Sequence, residues 1–175
     1  MKGGERLEKD LIKKAKSGDK EAFADLYLLY KDRLYRYAFY RLGNEQDASD
    51  AVSLCVLHAF EGISALKNEK AFSGWIFKIM HFSCLNILNE RKKEGSHADI
   101  SVLPDSFLKE EANVSSLEIK QALGTLSESE REIVLLSSVA GYKSREIAQL
   151  VGSTPGTVRS VLSRSLSKMR TYLGE

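Results

Sequence analysis

The apolar residues of this chain recur at helical rather than strand spacing. Leu7, Leu11, Ile12 and Ala15 share one face of a short helix that Ser17-Gly18-Asp19 closes. A longer run, Ala22, Phe23, Leu26, Tyr27, Leu29, Tyr30, Leu34, Tyr37 and Ala38, predicts a helix to about Arg41, ended by Gly43-Asn44. Asn44 with Asp47 resembles an N-cap pair for a third helix bearing Ala48, Ala51, Val52, Cys55, Val56, Ala59 and Phe60. Residues 62–69 read as a loop. A fourth helix starts near Ala71, carries Trp75, Ile76, Ile79, Phe82, Leu85 and Leu88, and ends in Arg91-Lys92-Lys93.

From Gly95 to about Val114 no period survives, and Ser, Asp and Glu dominate, as in a flexible linker. Ser115…Glu118 and Ser127…Glu130 have the spacing of capping boxes, which open helices running to about Leu123 and Ala140. Gly141 stops the second of these. A helix over 144–151, a turn at Gly152 and a final helix from Thr154 to Leu173 complete the chain, with Pro155 suited to the first helical position. The expected fold is all-α: two small helical domains, residues 1–93 and 117–175, joined by an acidic linker over 94–116.

Charge supports that division. The whole chain is formally +2, but 1–93 is net +4, 94–116 net −4 and 117–175 net +2, so two mildly basic blocks flank an acidic spacer. No apolar run reaches 18 residues and the first twenty residues hold no apolar signal core, which predicts a cytoplasmic protein without membrane insertion. There is no Gly-rich phosphate loop, nucleophile motif or carboxylate cluster, so neither an enzyme nor a cofactor is expected. Cys55 and Cys84 fit buried apolar positions. If the third and fourth helices pair antiparallel, Cys55, His58, His81 and Cys84 converge on a tetrahedral zinc site; simple burial of the thiols is the preferred reading, and no metal is expected.

The C-terminal residues carry the clearest chemistry. Helix, short turn and helix is the frame that places a second helix in the DNA major groove. On that second helix residues 156, 159, 160, 163 and 164 share a polar, cationic face, while Val158, Val161, Leu162, Leu166 and Met169 point inward. An arginine there can bond guanine O6 and N7 together. Lys168 and Arg170 lie further along, placed for phosphates.

These residues resemble region four of the extracytoplasmic-function (ECF, group 4) sigma factors of the sigma-70 family. The family's pattern appears as Leu126-Ser127…Arg131-Glu132-Ile133-Val134, Gly141…Glu146-Ile147-Ala148 and Gly156-Thr157-Val158-Arg159-Ser160. The N-terminal half is similar to region two of the same family, through Gly18-Asp19…Ala22-Phe23, Asp47-Ala48…Asp50-Ala51-Val52 and Phe72-Ser73-Gly74-Trp75-Ile76. The resemblance implies a protein that binds core RNA polymerase, meeting the β′ clamp helices and the β flap, and directs it to promoter DNA. It would place Thr157, Arg159, Ser160, Ser163, Arg164 and Lys168 at the −35 element. Lys67, Asn68, Lys70, Phe72, Trp75 and Lys78 would meet the −10 element, with the loop before Phe72 taking a flipped base. Asp47, Asp50, Ser53, Leu54 and Leu57 would meet polymerase. It also implies a separate anti-sigma factor. The chain departs from the pattern at Ser53-Leu54, where Gln-Glu is usual, at Phe82 and Asn86, where Asn and Asp are favoured, at Ser127 for Pro and at Val161 for Arg. A freestanding helix-turn-helix regulator that ignores polymerase is the alternative, and it has no use for the aromatic loop or the Asp47-Ala48…Asp50 helix.

Overall fold

The computed structural model describes residues 2–95 and 116–174, with side chains from 4 to 95 and 117 to 174. Among these the regular elements are helical: α1 (Lys2–Lys16), α2 (Lys20–Leu42), α3 (Glu45–Gly62), α4 (Phe72–Glu94), α5 (Ser116–Gly124), α6 (Glu128–Ser138), α7 (Ser144–Val151) and α8 (Pro155–Leu173). The linker expected over 94–116 lies outside the described residues except at its ends. The described residues fall into two compact units, one from 2–38 with 46–95 and one from 39–45 with 116–174.

The first unit is built on the long apolar pattern read above. Leu26, Leu34, Tyr37 and Ala38 of α2 are fully buried with Ala51, Cys55 and Ala59 of α3 and Ile76, Phe77 and Met80 of α4. Each large side chain removed from water contributes roughly 1.5–3 kcal/mol. The Tyr37 and Phe77 rings meet edge to face at 6.0 Å. Asp19 begins α2 by accepting a 3.0 Å bond from the Ala22 N–H, just after Gly18 turns the chain at φ +97°. Asp47 and Arg91 form an ion pair that ties α3 to the end of α4.

Two expectations change here. The loop over 62–69 is partly ordered into 3-10 turns at Ile63–Ala65 and Glu69–Ala71, and α1 packs against both. Residues 69–94 include a window of mean hydropathy 1.2, long and apolar enough by composition to cross a bilayer. Part of that apolarity lies in the core, where Phe72, Ile76, Phe77, Met80, Cys84 and Ile87 are all buried.

In the second unit Ile133, Leu135 and Leu136 of α6, Ile147 and Ala148 of α7 and Val158 of α8 form the centre. The sequence signals for its turns are realised in detail. Ser127 accepts from the Glu130 N–H at 3.2 Å and the Glu130 carboxylate accepts from the Ser127 N–H at 2.9 Å, a complete capping box where the family pattern has proline. Gly141 and Gly152 both sit at positive φ, +80° and +66°. Thr154 caps α8 by accepting from the Thr157 N–H at 3.2 Å, with Pro155 following. Arg131 donates to the carbonyls of Leu123 (3.1 Å) and Leu126 (3.3 Å), clamping the α5–α6 turn. Residues 39–45 fall in this unit, where Arg41, 4% exposed, pairs with Glu132 at 3.3 Å and Glu128 at 3.7 Å.

Candidate nucleic-acid interface

On α8 the cap and the core fix which residues look outward. Val158 and Ser165 are 0% exposed, so the helix is anchored at two points one face apart from Arg159. Thr157, Arg159, Ser160, Ser163, Arg164 and Lys168 are all exposed. Arg159, Ser160, Ser163 and Arg164 line one shallow depression. The Arg164 Nε donates to the Ser160 carbonyl at 3.4 Å, which lays its guanidinium back along the helix. Thr157 and Lys168 have other work. The Thr157 hydroxyl lies 2.9 Å from that of Thr154 in the cap.

Lys168 donates to Glu130 at 2.6 Å, so the same carboxylate that caps α6 also fastens α8. The bond from Lys168, then that from the Ser127 N–H, holds the Glu130 carboxyl below its ordinary value of 4.5. A carboxyl depressed in the folded state contributes stability that is full above its unfolded value and is lost as pH falls through the folded one. Glu130→Gln is therefore expected to show a shallower fall in melting temperature below about pH 4.5 than the parent. Equal acid slopes in the two proteins would show that this network adds nothing.

In the first unit the residues before and on α4 divide into exposed and buried ones. Lys67, Asn68, Lys70 and Lys78 are exposed. Asn68 uses its side-chain oxygen to accept from the Lys70 N–H at 3.0 Å, which shapes the second 3-10 turn. Phe72 is 1% exposed and cannot offer a face to a base. Its ring is held edge-on by Tyr30 at 5.2 Å and lies 5.7 Å from Trp75, so it sets the angle at which the loop enters α4. Trp75 is half-buried against Gly62, where an added Cβ would lie 3.3 Å from its Cζ2.

The N-terminal helix supplies residues that the sequence pattern passed over. The Tyr30 hydroxyl donates to Glu8 at 2.5 Å, and burial first, then this bond, pushes its pKa upward. A cleft of about 420 Å³ opens between α1 and the loop, lined by Glu5, Glu8, Lys9, Ile12, Glu69, Lys70 and Ser73. Nothing in the apolar period of α1 announced this; only the packing of α1 on the 3-10 turns brings its polar face to the loop.

Along α3, Asp50, Ser53, Leu54 and Leu57 are exposed, Leu57 by 51% and Leu54 by 37%. Asp47, beside that face, pairs with Arg91. The four residues weighed for zinc lie in different settings. His58 is exposed, Cys55 donates to the Ile76 carbonyl at 3.6 Å, Cys84 faces the Met80 sulfur at 3.9 Å and His81 Nδ1 lies 3.3 Å from the Tyr37 hydroxyl. Burial pushes the Cys55 thiol up to about 12. Among the described residues no three metal-binding side chains gather.

Two family models match this chain in order: Sigma-70 region 2 over residues 26–94 and Sigma-70, region 4 over residues 116–169. The chain belongs to the ECF group of the sigma-70 family. It is similar to the ECF RNA polymerase sigma factor SigW of Bacillus subtilis, 27% identical over 183 residues that cover 97% of this chain and 98% of SigW. SigM of Mycobacterium tuberculosis is 26% identical over 172 residues, covering 97% and 86%. Among solved structures, CnrH in complex with the cytosolic domain of CnrY shares the fold at a TM-score of 0.68 and 20% identity, over 96% of this chain and 97% of that one. RpoE of Bartonella quintana in complex with the anti-sigma factor NepR does so at 0.68 and 24%, over 87% and 96%. This ECF sigma factor is thus covered nearly end to end by full-length relatives, and the freestanding-regulator alternative loses its ground.

Proposed function

We propose that this sigma factor binds core RNA polymerase through the exposed face of α3 and delivers it to promoters whose −35 element is read by α8 and whose −10 element opens against the α4 end of the first unit. Chemistry stays with polymerase, and the protein works in the cytoplasm as an initiation factor. The observation that carries the reading is the exposed Arg159–Arg164 face of α8 on a capped, core-anchored helix, in a chain that also holds region two. Arg159 and Arg164 are the base or phosphate contacts, with Ser160 and Ser163 between them. Lys67, Lys70 and Lys78 meet phosphates near the −10 element. The carboxylates of the cleft beside Lys70 suit a flipped base with an exocyclic amine, since a carboxylate accepts from such a group.

A separate inhibitory protein is part of the proposal. Two proteins of the same fold are held in complexes, one with an anti-sigma factor and one with a cytosolic domain, and an anti-sigma factor for this chain would cover the same exposed faces. The test is binding of the purified protein to core polymerase, then transcription from a library of random promoters. Tight binding with starts that share one −35/−10 pair is the expected result. Sequence-specific DNA binding by the protein alone, without affinity for polymerase, would overturn it.

A further inference from the structure

Gly156 is a glycine that the fold does not require. It is exposed in the first turn of α8, just after the Thr154 cap and Pro155. Unlike Gly152, at φ +66°, it does not take a positive φ. Nor is it crowded. An added Cβ would meet only the Thr154 Oγ1 at 3.9 Å, an ordinary contact, whereas at Gly62 it would lie 3.3 Å from Trp75. Glycine in a helix is less stable than alanine, because the unfolded chain has more freedom to lose. With turn geometry and internal packing both excluded, the remaining use of a glycine is close approach of the backbone to something outside the chain.

The rotation of α8 says what approaches. A helix advances about 100° and 1.5 Å per residue. Val158 and Ser165, both 0% exposed, therefore lie about 160–180° from Gly156, on the far side of the helix. Arg159 falls about 60° to one side of Gly156 and Arg164 about 80° to the other, with Ser160 and Ser163 within about 40° of its line. Gly156 is thus the leading edge of the helix, midway between its two arginines and at the end that reaches base edges in a helix-turn-helix. The major groove is about 12 Å wide, and a helix with its side chains is about 10–12 Å across, so little clearance is left.

We propose that Gly156 lacks a side chain so that the first turn of α8 can lie directly against the DNA of the −35 element, which sets the depth from which Arg159 and Arg164 reach their contacts. This rests on the −35 role proposed for α8 and adds that stability is given up at this position for reach. Gly156 is a positioning residue and acts through the two arginines. A methyl group there extends the leading edge by a bond of about 1.5 Å. An outward shift of about 1 Å takes a hydrogen bond of about 2.9 Å beyond the 3.6 Å at which it is lost.

The test compares the parent protein with Gly156→Ala and Gly124→Ala. Gly124, at the end of α5, also lacks a positive φ and has nothing within 4 Å of an added Cβ, so it controls for the general effect of replacing an open glycine. Melting temperature is measured on the free proteins. Holoenzyme affinity is measured at one salt concentration, on a promoter with its −35 element and on the same promoter with that element replaced. Gly156→Ala is expected to melt at or above the parent temperature, by up to about 5 °C, and to bind core polymerase as the parent does. It should lose about 5-fold or more in affinity for the intact promoter and nothing on the promoter without the element. Gly124→Ala should match the parent on both. Parental affinity in Gly156→Ala overturns the inference, as does an equal loss on both promoters. A fall in its melting temperature also overturns it, since the fold would then need the glycine. A parent holoenzyme indifferent to the −35 element overturns the function proposed above and this inference with it; a parent that depends on the element while Gly156→Ala matches it overturns the inference alone.

Discussion

Arg159→Ala is expected to reduce holoenzyme transcription from a promoter with its cognate −35 element by roughly 5- to 150-fold, the range that corresponds to about 1–3 kcal/mol for a bidentate arginine–guanine pair. The reasoning starts from the core. Val158 is fully buried, so its neighbour Arg159 is turned to solvent by the geometry of the helix, one turn after the Thr154 cap. That is where the recognition helix of a helix-turn-helix reaches base edges. Being exposed, the side chain can be removed with little effect on folding, generally within about 0.5 kcal/mol. Arg159→Lys should recover only part of the loss, because an ammonium cannot make the planar two-bond contact. The informative readout is a library randomised at −35. If Arg159→Ala weakens every sequence by the same factor, the residue holds a phosphate and does not read a base.

The second large effect is expected at α3. Leu57→Asp should weaken binding to core polymerase by about 30-fold or more, the equivalent of about 2 kcal/mol at an interface hot spot. Leu57 is half-exposed and follows Asp50, Ser53 and Leu54 along one exposed side of the helix, so no core contact explains a leucine there. A carboxylate placed on that apolar spot has to be desolvated on binding, a cost that adds to the loss of the leucine's methyl groups. Measured by competition for labelled core, parental affinity in the variant would show that polymerase docks elsewhere. Asp47→Ala is the useful contrast. It removes the partner of Arg91 and should lower the melting temperature of the first unit, whereas Leu57→Asp should not.

The helices and their ends were readable because their signals are local. Gly18, Gly141 and Gly152 mark turns, and Ser127 with Glu130 marks a cap; each acts on backbone groups within three or four residues. The exposed face of α8 was readable for the same reason, since one buried valine fixes the rotation of its neighbours. What escaped the sequence depends on partners far along the chain. Phe72 looked like a stacking residue, yet its burial depends on Tyr30, 42 positions earlier. Asp47 looked like a contact for polymerase, yet it pairs with Arg91. Lys168 looked like a phosphate ligand, yet it reaches Glu130, 38 positions back. The cleft beneath α1 was unreadable because neither its glutamates nor Lys70 and Ser73 carry a motif; only the packing brings them together.

The close approach of Trp75 to Gly62 has an evolutionary consequence. A methyl group at position 62 would sit 3.3 Å from the indole, so the ring or the turn would have to shift by a few tenths of an ångström for alanine to fit. Mutational drift at the two sites is therefore coupled: a lineage that keeps the indole favours glycine at 62, and the preference relaxes once a smaller side chain replaces the tryptophan. The two positions should change as a pair in descendants of this gene, tryptophan with glycine and smaller residues with alanine, even though thirteen positions separate them in the chain.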